Sequence, residues 1–453
     1  MAAISMAVIV GFMGVSSWSA QAETLSEALA EAYGTNPDLV AERSRVRAVD
    51  EQVPQALSNW RPQVTLSGRY GVRKLDRELS SGVSTDRTDQ PQSVGLAITQ
   101  NLFRGFRTQA ETERAENRVA AARSNLIGTE QSVLLEGVVG YVTVLRDTAV
   151  LELRTNNVGV IEQQLQATRD RFEVGELTRT DVAQAESRLA RAVADRITAE
   201  ANLETSRAAY RKAIGRDPVD LQQPDLPPNL PASEADALAA AADNNPDVVF
   251  ADFNERAARS DIELRRGELL PTLTLDATVD RDKDIVGSDV KDTEGALTAR
   301  LSVPLYQSGA VYSRIREAKQ TASQRLSELA LEKREAEQNA SDTWEDFRAA
   351  QARITSFESE VRAQEVAFEG VQQEAQVGSR TVLDVLDAEQ ELLDARVNLV
   401  SARRDLIVSG YALLSAVGKL TAQDLGLAVD LYDPTSNFGA VRDKLFGSDI
   451  KDE

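Results

Sequence analysis

A segment near the C-terminal end, VGSRTVLDVLDAEQ at positions 377–390, has a counterpart in the first half of the chain, VGELTRTDVAQAES at 174–187. The two segments lie 203 positions apart. Upstream, an Asn-Pro-Asp tripeptide at 36–38 recurs at 245–247, an offset of 209 positions. We therefore interpret the chain as a tandem duplication of one large unit, with six extra residues in a loop of the first copy, because surface loops tolerate insertions. A period near 200 residues is too long for a solenoid array.

The composition argues against most kinds of chemistry. Among 453 residues there is no Cys and no His, which excludes disulfides, thiolate zinc sites and imidazole bases. The formal net charge of -21 argues against a nucleic-acid partner. We therefore predict no cofactor, no metal and no enzymatic activity. Few aromatic residues, 5% of the chain, indicate long helices.

The N-terminus is typical of a processing segment. Residues 1–22 carry no charge, contain an apolar run and end in Ala20-Gln21-Ala22, a small-x-small cleavage pattern. We predict a signal peptide over 1–22, maturation at Glu23 and export. The usual Lys or Arg is missing, which leaves open a start upstream of Met1. The alternative of a membrane anchor is disfavoured because the apolar part is short for a span.

Two β-hairpins are predicted, at 62–103 and 271–306. In each, apolar residues alternate with polar ones over strands of about ten residues, which matches the transmembrane β-strand pattern. An ordinary half-buried sheet remains the alternative. Polar loops are predicted at 74–91 and 280–294. Four strands cannot close a barrel, so a chain whose strands span a membrane must form an oligomer.

The remaining sequence predicts very long helices. No proline occurs between Pro91 and Pro218 or between Pro304 and Pro434. Helices predicted at 104–172 and 310–376 would each span roughly 100 Å at about 1.5 Å per residue. Each is followed by a Val-Gly turn and a return helix. The second return helix carries two adjacent heptad seams: Val385, Leu392, Leu399, Leu406 and Leu413, and Leu386, Leu393, Val400, Ile407 and Leu414.

Two seams favour a closed ring of helices, because each helix then packs against neighbours on both sides. A wide amphipathic face on a globular bundle remains the alternative. The predicted organisation is a first repeat over 23–215, a stiff proline-rich linker over 216–235, a second repeat over 236–418 and a polar tail over 419–453.

Both Val-Gly turns are followed by Thr-x-x-Asp. Thr178 with Asp181 and Thr381 with Asp384 resemble capping boxes, so these residues have a structural explanation as helix caps. Asp387 has no such explanation, since its counterpart is a glutamine. One turn from Asp384, it would place two carboxylates on one face. In a symmetric oligomer these would become stacked rings of negative charge.

Taken together, these features resemble the TolC family of outer-membrane channel-tunnel proteins, in the branch serving type I secretion and multidrug efflux. The resemblance covers 23 to about 430. It rests on the Asn-Pro-Asp openings, the strand entries at Pro62 and Pro271, LYQSG at 305–309 and VGSRTVLDVLDAEQ.

The resemblance implies a mainly helical fold with a small β part. Three chains would share one 12-stranded barrel in the outer membrane, and their antiparallel helices would form an α-barrel across the periplasm, with the linker and the tail at its equator. Implied partners are outer-membrane lipid, a periplasmic adaptor protein and an inner-membrane transporter of ABC or RND type. Conduction would be passive, through an iris-like gate.

On this resemblance, Asp384 and Asp387 would line the periplasmic constriction. Arg380 would hold the closed state by pairing with Thr180 or Asp181 across helices. The sequence departs from the family pattern at Ala375, where the best-known member has a tyrosine that braces the closed gate. One closing contact is therefore missing.

Two other classes of function remain as alternatives. A secreted coiled-coil stalk would need soluble hairpins, against which the apolar alternation argues. A carboxylate-dependent periplasmic enzyme has no supporting constellation beyond the paired aspartates.

Overall fold

The computed structural model describes residues 22–78, 80–82, 84–285 and 289–450. The predicted signal peptide lies outside these residues except for Ala22. Within the described chain the fold is mainly helical with a smaller β part, as predicted.

The helices of the first half are α1 (Leu25–Thr35), α2 (Pro37–Asp50), α3 (Gln52–Leu57), a short 3-10 turn (Ser58–Trp60), α4 (Arg107–Glu173) and α5 (Arg179–Ile214). Those of the second half are α6 (Glu234–Asn244), α7 (Pro246–Gly267), α8 (Ala310–Gln376), α9 (Val382–Ala416) and α10 (Ser436–Val441). The strands are β1 (Gln63–Tyr70), β2 (Arg73–Glu78), β3 (Ser84–Asp89), β4 (Gln92–Phe103), β5 (Thr272–Lys283) and β6 (Lys291–Ser302).

The Asn-Pro-Asp tripeptides start helices. The side chain of Asn36 accepts a hydrogen bond from the N–H of Asp38 at 2.9 Å, and Asn245 does the same for Asp247. Proline at the first helical position needs no hydrogen-bond partner for its nitrogen. The tripeptide therefore ends one helix and begins the next.

The proline-free stretches form α4 and α8, each of 67 residues. The return helices α5 and α9 have 36 and 35 residues. Glycine in the left-handed region follows both return helices, with φ of +95° at Gly215 and +76° at Gly418. Any other residue at Gly418 would force the backbone to shift, because a Cβ there would lie 2.3 Å from the backbone oxygen of Asn244.

The strands form an antiparallel four-stranded sheet in the order β1-β4-β5-β6. The two predicted hairpins join through β4 and β5, with Leu96 opposite Val279. The prediction of a polar loop at 74–91 is wrong. The strands β2 and β3 occupy this segment and pair as a second, two-stranded sheet. The second loop is also shorter than predicted, because β5 extends to Lys283 and β6 begins at Lys291.

The chain divides into two compact units. The first comprises the described residues up to Gly34, with Glu136–Pro227 and Ala350–Val408. It contains both turns between the long and return helices.

The second unit comprises Thr35–Leu135, Pro228–Ala349 and the described residues from Ser409 onward, and it contains the sheet. Here the tail packs on α2 and α3 through Phe438, which contacts the cluster around Val53. The guanidinium of Arg123 lies 5.2 Å from the centre of the Phe438 ring. Asn437 donates a hydrogen bond to the buried carboxylate of Asp50 at 2.9 Å.

Among the helices of the described chain, none is both long enough and apolar enough to cross a membrane. No group of three or more acidic side chains in the described ranges is placed to hold a metal ion.

Candidate functional site

The two turns that join the long helices to the return helices have the same backbone geometry. Gly175 and Gly378 have φ of +82° and +81°. After Gly175, the N–H of Glu176 donates to the oxygen of Arg171 at 2.9 Å, and after Gly378 the N–H of Ser379 donates to Glu374 at 3.0 Å. Left-handed glycine with such a bond ends an α-helix tightly, so each long helix reverses within a few residues.

Both return helices begin with the predicted capping boxes. The Thr178 hydroxyl accepts from the N–H of Asp181 at 3.3 Å, and the Asp181 carboxylate accepts from the N–H of Thr178 at 2.8 Å. Thr381 and Asp384 form the same pair, at 3.2 and 2.9 Å. The hydrogen bond from the backbone of the threonine, and then that from its side chain, lower the pKa of both Asp181 and Asp384.

One apolar cluster lies beside the two turns. Its buried members come from α4, α5 and α9: Ile161, Leu165, Ala185, Ala192, Val382 and Leu386. Three helices, two from the first half and one from the second, therefore share a core near the turns. The small alanines of α5 let the helices approach closely.

An ion pair joins the two return helices beside this core. The Arg188 guanidinium on α5 bonds the Asp387 carboxylate on α9, and their side chains are 29% and 50% exposed. Arg154 on α4 adds a second link, with nitrogen atoms 3.6 Å from Asp195 on α5 and 3.7 Å from Asp394 on α9. Ion pairs thus connect Asp387 and Asp394, which lie two turns apart on one face of α9, to the first half.

A partly buried carboxyl lies in the same helix contact. Glu389 on α9 is hydrogen-bonded to the buried Asn157 of α4. Burial raises the pKa of Glu389 despite this bond. Ionisation of Glu389 is therefore less favourable at this contact between α4 and α9 than it is in water.

The predicted gate residues occupy the surface of these turns. Arg380 is exposed, and its Nε lies 2.8 Å from the Glu374 carboxylate at the end of α8. Thr180 is exposed in the first turn of α5. Within one chain Arg380 therefore pairs locally, and its pairing with Thr180 or Asp181 across helices stays a prediction.

Sequence reasoning missed Arg188, Glu374 and Glu389. A signal for Arg188 does exist. At the offset of 203, Gln184 and Arg188 of the first half correspond to Asp387 and Glu391 of the second. Neither Asp387 nor Arg188 therefore has a residue of the same charge at the equivalent position of the other half. These two opposite charges, one in each half, form an ion pair with each other.

The four-stranded sheet carries a continuous apolar face. Paired residues in adjacent strands point to the same face. One row runs across all four strands through Val64, Ile98, Ala277 and Leu297, and the next through Leu66, Leu96, Val279 and Gly295. The side chains are open to solvent in the single chain, with Leu66 73% and Leu297 71% exposed.

The opposite face of the sheet is polar. Its rows run through Gln63, Thr99, Asp276 and Thr298, and through Arg69, Ser93, Asp282 and Asp292. The Thr99 hydroxyl donates to the Asp276 carboxylate at 2.8 Å. One face of the sheet therefore suits hydrocarbon and the other suits water.

The chain matches the family model described as "Outer membrane efflux protein" over residues 28–216 and again over 237–419. It is 35% identical over 447 residues to the outer membrane efflux protein BepC of Brucella suis, covering 98% of this chain and 96% of that protein. It is 28% identical over 425 residues to the outer membrane protein TolC of Vibrio cholerae, covering 91% and 94%.

A solved structure has a similar fold. The outer membrane protein VceC of Vibrio cholerae superposes with a TM-score of 0.75 at 20% sequence identity, covering 87% of this chain and 96% of that one.

Proposed function

The chain belongs to the outer membrane efflux protein family, and we propose that it is the trimeric exit duct of a tripartite efflux or type I secretion system. The family consists of channel proteins rather than enzymes and is located in the outer membrane of Gram-negative cells. Conduction in this proposal is passive: the protein supplies a water-filled path and a gate, and a partner transporter supplies energy.

The observation that carries the proposal is the exposed apolar face of the four-stranded sheet. Leaving this face in water is unfavourable by about 25 cal/mol for each Å² of apolar surface. Burying it in lipid also requires that the outer strands β1 and β6 find partners, because unpaired backbone groups are not tolerated in hydrocarbon. Within the described sheet these two strands are paired on one side only.

The size of the conduit supports a trimer over a dimer. Two chains would contribute eight strands, and the interior of an eight-stranded barrel is filled by side chains. Three chains give twelve strands, with room for a path lined by the polar face. The two halves of each chain, as tandem repeats, would place six similar helical hairpins around that path.

The gate in this proposal lies at the turns after α4 and α8. Asp384 and Asp387 would line the constriction, and Arg380, Thr180 and Asp181 would link neighbouring helices in the closed state. Opening would separate α9 from α5, and the Arg188–Asp387 ion pair beside the shared core opposes that separation. The periplasmic adaptor and the ABC or RND transporter would bind these turns and shift the equilibrium.

The test is the mass of the mature protein in mild detergent, together with its distribution between membrane and soluble fractions. We expect a membrane-bound trimer that conducts ions in planar bilayers. A soluble monomer or dimer would overturn the proposal and favour the secreted coiled-coil stalk, since its hairpins would never contact lipid.

A further inference from the structure

A buried polar cluster holds the N-terminal end of the described chain, and the channel proposal does not use it. The Glu23 side chain is enclosed, with the residue only 7% exposed. Its Oε1 accepts hydrogen bonds from the Tyr210 hydroxyl at 2.6 Å and from Arg216 at 2.8 Å. A buried carboxylate is tolerated only where donors and a positive charge surround it, and here both are present.

The two tyrosines of the cluster are fully buried donors. Tyr141 on α4 donates its hydroxyl to the backbone oxygens of Glu23, at 2.7 Å, and of Gln222, at 2.8 Å. Burial, and then the neighbouring Glu23 carboxylate, raise the pKa of Tyr210. Its hydroxyl therefore stays protonated and available to the carboxylate.

The backbone of Glu23 is bound as well as its side chain. Its N–H donates to the oxygen of Asp220 at 3.1 Å, and its oxygen accepts from the N–H of Gln222 at 3.0 Å. Asp220, which accepts the first of these hydrogen bonds, has a φ of +39°. Residues other than glycine rarely adopt a positive φ. Side chain, N–H and C=O of one residue thus each have a partner.

The bound residue is also the first one after the small-x-small pattern Ala20-Gln21-Ala22. Hydrolysis of the Ala22–Glu23 peptide bond by a signal peptidase adds water across that bond, leaving a carboxylate on Ala22 and an ammonium on Glu23. On capture, the new ammonium would donate to the Asp220 oxygen that accepts from the Glu23 N–H in the structure. Helix α1 begins two residues later, after Thr24, whose N–H donates to Glu27 at 2.9 Å.

We propose that Tyr141, Tyr210, Arg216 and the backbone of residues 220–222 form a binding site for the N-terminal residue of the processed chain, Glu23. The ligand is an N-terminal glutamate: a γ-carboxylate and an α-ammonium on one residue. Its capture attaches the start of the first repeat to the linker that leads into the second. Because Glu23 is enclosed once bound, the bond before it is out of reach of a peptidase cleft, so cleavage precedes capture.

The test combines intact mass and limited proteolysis of the full-length exported protein. We expect a mature mass that begins at Glu23. Trypsin cuts after Arg216, whose side chain is exposed, and the surrounding backbone must open locally to enter the protease cleft. Glu23→Gln and Tyr210→Phe, which preserve size, should each raise the rate of cleavage at Arg216 at least about tenfold, since hydrogen bonds to charged groups are among the strong ones.

Glu152→Gln and Tyr312→Phe serve as matched controls, because both side chains are exposed elsewhere on the surface. These controls should leave the cleavage rate unchanged. A mature chain that begins downstream of Glu23 would overturn the proposal. So would cleavage rates in the Glu23 and Tyr210 variants equal to those of the controls. Neither result depends on whether the protein conducts ions.

Discussion

Breaking the Arg188–Asp387 ion pair tests the gate at its most specific contact. We expect Arg188→Gln to raise the resting conductance, because it removes a link between α5 and α9 without touching the shared apolar core. Both side chains are partly exposed, at 29% and 50%, so the pair contributes about 0.5 to 1 kcal/mol at most. That range corresponds to a shift of the opening equilibrium by about two- to fivefold per chain.

The two partners of the pair should have opposite effects on ion selectivity. Arg188→Gln uncovers the Asp387 carboxylate and should increase cation selectivity. Asp387→Asn opens the same link but removes the negative charge, so it should raise conductance while lowering cation selectivity. Single-channel currents in planar bilayers give the open probability, and reversal potentials in a KCl gradient give the selectivity.

A nearby pair provides the control. Arg169 on α4 and Glu186 on α5 lie 2.7 Å apart with exposures of 47% and 51%, but they join helices of the same half. Glu186→Gln should leave resting conductance unchanged. If Arg188→Gln and Asp387→Asn shift selectivity in the same direction, or if neither changes conductance more than Glu186→Gln does, the reasoning is refuted.

Three further predictions concern charge, burial and backbone. Asp384→Asn combined with Asp387→Asn should abolish most cation selectivity in the same bilayer assay, and retained selectivity would locate the filter elsewhere. Burial raises the pKa of Glu389, so the stability it contributes is greatest below its unfolded pKa of about 4.3 and falls as pH rises through the folded value. Glu389→Gln should therefore raise the unfolding temperature at pH 7 but not at pH 4, and an equal effect at both would contradict this. Gly418→Ala should cost about 2 to 5 kcal/mol, because its Cβ would meet backbone. Gly378→Ala, with φ of +81° and open space around it, should cost only about 1 to 2 kcal/mol in denaturant titrations.

Much of the fold could be predicted because the relevant signals are local. Proline-free stretches determine where α4 and α8 run, and Gly175 and Gly378 determine where they reverse. The capping boxes depend on residues three positions apart, so sequence spacing alone was sufficient. Alternation of polar and apolar residues indicated β1, β4, β5 and β6 for the same reason.

The features that the sequence did not predict depend on residues far apart in the chain or on strands without a regular apolar pattern. The strands β2 and β3 carry charges on both faces, such as Lys74 opposite Thr88 and Arg77 opposite Thr85, so no apolar period reveals them. Arg188 and Asp387 are separated by 199 positions in the chain, and their contact depends on how the helices pack. The Glu23 cluster likewise draws on α4, α5 and the linker.

The incomplete pairing of the sheet bears on how such a protein is made. The outer strands β1 and β6 offer unsatisfied N–H and C=O groups, and apolar side chains such as Leu66 are exposed beside them. Edges of this kind promote aggregation between chains. A newly exported chain is therefore most prone to aggregate before it assembles with other copies. The yield of assembled protein should depend on the rate at which new chains are exported. At high expression, the amount of chaperone available to cover the exposed strands would limit the assembly of the protein.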